Sequence, residues 1–235
     1  MTLNGVVLVR ATISFSRAMG WDRGKRLGMI WRRLVAHSHS LPEVTRVRLA
    51  GQISRRLSRV GAAVLKASGT LELGESFDVW FLGQSAITNS SARLATVARR
   101  TGYWHHQIRH NGKGTEYARS EVHGPGAEDW KIHAIYSSDL AGKIDETIGW
   151  IDLNYKDNDD PLAHILIIPA YFVTAFWLEG TERDEIVMIE GPVSLKILKT
   201  EHLYSSQDFL ALLTQERRVQ GVPRNPPARR NPSSD

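Results

Sequence analysis

The chain has 235 residues, 42% hydrophobic and 23% charged, ordinary values for one globular domain with appendages or two small domains. It holds no cysteine, which excludes disulfides, thiolate metal sites and a cysteine nucleophile, and fits a reducing, cytoplasmic setting. The net charge of +5 is unevenly spread: residues 1–70 carry thirteen Lys and Arg against Asp22 and Glu43, a balance of +11, leaving −6 for the rest.

The opening "MTLNGVVLVRATISF" has an apolar run before Arg10 that is too short for a secretory signal. In "RGKRLGMIWRRLVAH", Leu27, Ile30, Trp31, Leu34 and Val35 recur at helical spacing, with Arg23, Arg26 and Arg33 off that stripe. "SHSLPE" breaks the pattern, because Pro42 disfavours helical backbone at Leu41. A second helix is expected in "EVTRVRLAGQISRRLSRVGAAVLKA", with Ile53, Leu57, Val60 and Val64 on one face and Arg48, Arg55, Arg59 and Lys66 on another. Residues 1–69 therefore read as a basic, amphipathic, helical N-terminal segment. Its candidate roles are an organelle transit peptide, a nucleic-acid arm, a membrane-surface helix, or a helical pair packed on the remainder. A translation start placed upstream of the selected protein would look the same.

From Thr70 the pattern becomes that of a mixed fold. "TLEL" and "FDVWFL" read as short strands separated by Gly74. "SSARLATVARR" reads as a helix capped by Asn89 or Ser90 and stopped at Gly102. Residues 103–120 form a hairpin around Asn111-Gly112, and "WKIHAIY" supplies another strand. "SSDLAGKIDETIGWI" is a helix capped by Ser137 or Ser138, with Leu140, Ile144, Ile148 and Ile151 on one face.

"AHILIIP" is a nearly unbroken apolar run that suits a strand covered on both faces. "AYFVTAFWL" and "EIVMIE" flank the turn "EGTERD" as an antiparallel pair. A last helix begins at Ser205, with Asp208 three residues on completing a capping-box-like pair. Residues 217–235 are rich in Pro, Arg and polar residues and read as a disordered tail. The most apolar stretch, Ala163 to Leu178, is interrupted by His164, Pro169 and Thr174 and is shorter than the roughly 20 residues a membrane span needs. The fold class is α+β: a mainly antiparallel sheet of about six strands with packed helices, residues 70–216, behind a basic helical extension.

The hairpin holds the densest chemistry. A four-residue turn from Asn111 to Gly114 would set Arg109 opposite Glu116, Ile108 opposite Tyr117 and His106 opposite Arg119. A two-residue Asn-Gly loop would instead set Arg109 opposite Gly114, and the first register is preferred for its charge pairing. Alternation puts His106 and His110 on the face of Trp104 and Ile108, with His105 on the other. Along a regular strand those two same-face histidines lie roughly 13 Å apart, too far to share a zinc ion. A metal would need a distant partner such as His123 or His133. The expectation is no metal and no cofactor, with the histidines at the wet end of a partly buried sheet face.

Catalytic motifs fail on their own terms. "VWFLGQSAI" would make Ser85 an elbow nucleophile, but Ile87 occupies the position of the second glycine, and the histidines of a triad, His164 or His202, lie in no recognisable context. In "DNDDP", Pro161 breaks the calcium-loop pattern of Asp157, Asp159 and Asp160. No catalytic residue is assigned.

The leading expectation is a non-enzymatic protein-interaction module, self-association included, using an aromatic-rich sheet surface. The interaction candidates are Trp104, His106, Arg109, Tyr117, Arg119, Tyr171 and Trp177. The alternative is a nucleic-acid-binding protein using the Arg-rich N-terminal segment and the 103–120 hairpin. A serine hydrolase at Ser85 is the remaining reading. The stretch "AYFVTAFWL" serves either as a buried central strand or as a docking face for a partner.

Overall fold

The computed structural model describes residues 41–60, 71–87, 93–155 and 161–219. The predicted helix in residues 23–37, the caps Asn89 and Ser90 and the acidic loop at 156–160 lie outside the described residues; so does the expected tail of 217–235 from 220 on, whereas its first three residues, 217–219, belong to the last helix rather than to a disordered tail. Five helices are described: α1 (Glu43–Val60), α2 (Gln84–Ile87), α3 (Leu94–Val97), α4 (Asp139–Asn154) and α5 (Ser206–Val219). The strands are β1 (Leu71–Phe81), β2 (Arg99–His110), β3 (Lys113–Val122), β4 (Trp130–Ser137), β5 (Leu162–Ile168), β6 (Val173–Glu179), β7 (Asp184–Glu190) and β8 (Leu203–Ser205).

All eight strands form one sheet in the order β4-β3-β2-β1-β5-β6-β7-β8. It consists of two antiparallel meanders, β1 to β4 and β5 to β8. Helix α4 carries the chain back so that β5 lies beside β1 and parallel to it. The sheet is thus mixed, with more strands than the six expected. The α+β class holds, but the parallel join could not be read from a strand list.

Strand alternation sorts the core into layers. On one face, Ile144, Ile148 and Ile151 of α4 pack on Phe77, Val79, Ile165, Phe176, Leu178 and Val187. On the other, Phe209, Leu210 and Leu213 of α5 cover Leu166, Ile168, Trp177 and Ile186. Beside them Leu49, Ile53 and Leu57 of α1 cover Trp104, Ile108, Ala118, Trp130 and Ile132. Strand β6 is apolar on both sides for this reason, the buried central strand foreseen for "AYFVTAFWL".

Helix α1, within the expected basic segment, packs on the sheet. It fills a third core cluster and also closes an edge. Gln52 donates from Nε2 to the Trp130 carbonyl (3.0 Å) and accepts through Oε1 from the Ile132 amide (3.0 Å). Arg56 donates to the His133 carbonyl at 2.9 Å. Strand β4 is the end of the sheet, and an open edge recruits other strands. The Gln52 carboxamide takes the place of a neighbouring strand there.

Other expectations change with tertiary pairing. "TLEL" and "FDVWFL" are one strand, β1, with an irregularity between Leu73 and Ser76. Helix α3 spans only Leu94–Val97, because Arg99 onward pairs with β1, and Gly102 sits inside β2 at φ +80° rather than ending a helix. The hairpin takes the two-residue turn. His110 faces Lys113, Arg109 faces Gly114, and a bulge then sets Ile108 opposite Glu116 and His106 opposite Ala118. Asn111 and Gly112 are both left-handed, φ +53° and +77°, the turn whose twist matches the strands. The preferred Arg109–Glu116 pairing does not form, because Arg109 finds Glu75 at 2.7 Å and Asp145 on α4 through Nε at 3.0 Å. The α5 cap is as expected: Ser205 Oγ donates to Asp208 Oδ2 at 2.7 Å and accepts from the Asp208 amide at 3.1 Å.

Candidate functional site

Two buried polar rows cross the sheet on the face shared by α1 and α5. In the first, His106 lies between two serines, 2.8 Å from Ser76 Oγ and 2.7 Å from Ser120 Oγ, beneath α1. Burial pushes its pKa down to about 3, so the ring is neutral, with one serine donating to it and the other accepting. On the opposite face His105, also buried, is pushed down to about 4 by desolvation. These histidines therefore lie inside the protein, not at a wet end. Helix α1 covers His106, while Tyr117 and Gln107 cover His105, which local alternation does not reveal.

In the second row, Asp78 meets Nδ1 of His164, and Nε2 of the same ring lies 2.9 Å from Glu179. Asp78 also accepts from Trp80 Nε1 at 3.0 Å and faces Arg100 Nε at 3.1 Å. Asp78 and His164 side chains are each 2% exposed. Both ring nitrogens of His164 are thus engaged by carboxylates. Among the described residues, no three His, Asp or Glu side chains converge as a metal-ligating group.

The remaining half of the α4-side face is different. Helix α4 crosses the central strands and the hairpin end, where Gln107 donates to the Ala141 carbonyl at 2.8 Å and Gly114 lies against α4. Beyond it the rings of His105 and Tyr117 stack at 4.3 Å, and Tyr117 and Tyr136 at 4.9 Å, a ladder across β2, β3 and β4 to the sheet edge. The Arg119 guanidinium stands 5.4 Å from the Tyr136 ring and 5.9 Å from Tyr103. Tyr103, Arg119 and Tyr136 are half-buried, while Lys131 and His133 are exposed. Lys131 and Tyr103 pair with opposite sides of Glu121, so they share this face. Along the edge runs α1, whose exposed Arg48, Arg55 and Arg56 share one helical stripe with Gln52.

Among the sequence-predicted candidates, Arg119 lies in this open region. Tyr117 belongs to the ladder but is largely covered, and Arg109 is tied into the Glu75–Asp145 cluster. Trp104, His106, Tyr171 and Trp177 are buried, so none forms surface. Aromatic character alone named them, and tryptophan and tyrosine serve cores as readily as surfaces. Tyr136 was passed over inside a strand candidate, and His133 was weighed only as a metal partner. Asp78 and His164 carried a legible signal: each interrupts an otherwise apolar strand, "FDVWF" and "AHILII", where a buried polar group must find partners. No described helix is long and apolar enough to cross a membrane. Neither protein-family models nor curated proteins match this chain.

Proposed function

We infer that the protein binds single-stranded nucleic acid on the open half of its sheet. The observation that carries this reading is the row Tyr103, Arg119 and Tyr136 at a sheet edge lined by the α1 arginines. Tyr103 and Tyr136, half-buried with Arg119 beside both rings, are side chains of the kind unpaired bases stack on, and Lys131 and the exposed Arg48, Arg55 and Arg56 of α1 supply cationic groups for a strand's phosphates. The N-terminal segment and the 103–120 hairpin, separate in sequence, meet here through α1 and β4. A cysteine-free chain suits a reducing, cytoplasmic setting for such a ligand.

A protein partner on the same face is the second reading. It is favoured by the acidity of residues 71–216, which hold 12 Lys and Arg against 22 Asp and Glu, a net of −10 that opposes a polyanion at long range. Fluorescence anisotropy with single-stranded RNA and DNA oligomers at low and high salt separates the two. Nucleic-acid binding predicts salt-sensitive affinity that weakens about tenfold or more in Tyr103→Ala/Tyr136→Ala, given about 1–3 kcal/mol per stacked base. Absence of binding at low salt, or affinity unchanged in that variant, rejects the nucleic-acid reading. Capture of a protein by wild type but not by the double variant would then support the second.

A further inference from the structure

One end of the sheet carries an uncharged, protruding tip. The 3-10 turn Pro169–Tyr171 joins β5 to β6, and Phe172 follows it at φ +53°, ψ +37°, with its amide bonded to the Pro169 carbonyl at 3.2 Å. Left-handed backbone is uncommon for a bulky residue and suits glycine or asparagine better. Phe172 is nevertheless 83% exposed, and Val193 in the loop after β7 is 94% exposed. The two loops adjoin. Thr174 pairs with Glu190, and a Cβ at Gly191 would lie 3.4 Å from the Val173 side chain. Pro169, Ala170, Gly191 and Ser194 are also exposed, and no Asp, Glu, Lys or Arg occurs in 161–178 or 191–195.

Independently of the nucleic-acid reading, we propose that this tip inserts shallowly into a phospholipid surface, with Phe172 and Val193 as its apolar anchors. The turn holds Phe172 outward rather than letting it fold back, so ordering it on a membrane costs little further entropy. After Val193 the exposed charges are Lys196 and Lys199; before it Glu190 is held by Lys143 at 3.0 Å, and Glu179 at the far end of β6 faces His164. Glu201 is the exposed acid beyond them. Apolar anchors backed by lysines match an anionic bilayer. A second copy of the chain is disfavoured as occupant, because two loop tips fall well short of the roughly 800 Å² per partner that a stable dimer buries.

Co-sedimentation of the full chain tests this with vesicles of phosphatidylcholine alone and with one-third phosphatidylserine. Wild type is expected to bind the anionic vesicles, and Phe172→Ser/Val193→Ser to bind about tenfold more weakly with unchanged thermal unfolding. Phe172→Trp should retain binding and shift its emission blue on adding vesicles. No sedimentation of wild type overturns the proposal, as does equal binding by the double-serine variant. A dimer by light scattering that this variant abolishes, without vesicle binding, would assign the tip to self-association instead.

Discussion

Asp78 and His164 stand side by side on β1 and β5, the one parallel pair among the described strands, and their contact ties the two meanders together. Only Val79, Trp80 and Phe81 pair in register with β5 there, so the backbone join is short. The buried Asp78–His164 bridge lies at its start, and Trp80 and Trp177 pack at 5.2 Å alongside. Side chains thus reinforce the seam where the ladder is brief.

Removing one partner of this bridge should be costly. His164→Leu leaves Asp78 buried with reduced compensation and is expected to lower unfolding free energy by about 3 kcal/mol. Glu179→Gln should cost about 1 kcal/mol or less, since Glu179 is a third exposed and solvent screens it. Urea titration of the two variants checks the ratio. Equal costs would show that the Asp78 contact carries no special weight.

The buried histidines make stability depend on pH with a definite sign. The folded pKa values of His105 and His106, about 4 and 3, lie below the ordinary value of 6.5, so the unfolded chain binds more protons between them. Their contribution is complete above about pH 6.5 and is lost as pH falls through that window. Between pH 7.5 and 5 the loss should be about 2 kcal/mol for each histidine. Denaturation of wild type and His106→Gln at both pH values checks it: the variant should lose less on acidification. An identical loss would mean His106 is not held neutral.

Gln52 guards an edge, so its loss should appear in association as well as stability. Gln52→Ala strips the partners from the Trp130 carbonyl and the Ile132 amide and is expected to cost about 1–2 kcal/mol. It should also raise concentration-dependent light scattering, because the β4 edge becomes available for pairing. Arg56→Ala, whose bond to His133 is exposed, should do less on both counts.

The hairpin turn is sensitive at Gly112. With φ at +77°, Gly112→Ala should destabilise by about 1 kcal/mol, whereas Asn111→Gly should be nearly neutral. Thermal melts of both variants test the assignment. A neutral Gly112→Ala would contradict the two-residue turn.

Local pattern reached the strands of the hairpin, β4 to β7, helices α1 and α4 and the α5 cap, because period, capping residues and turn chemistry act within a few residues. It also placed His106 on the face of Trp104 and Ile108, since strand alternation is a local property. It missed the single long β1, the start of β2 and the three-residue β8, where pairing with a distant strand overrides helix propensity or supports a segment too short to signal itself.

Composition and periodicity by themselves determined a cysteine-free α+β chain with basic and acidic parts and an apolar central strand at 173–179. Only the tertiary structure decided that α1 closes the sheet edge, that Asp78 finds His164 across a parallel seam, and that Trp177 is interior while Phe172 protrudes. Each of those depends on contacts between residues far apart in the chain. A side chain's exposure is set by what packs over it, and sequence spacing carries only its direction along its own strand.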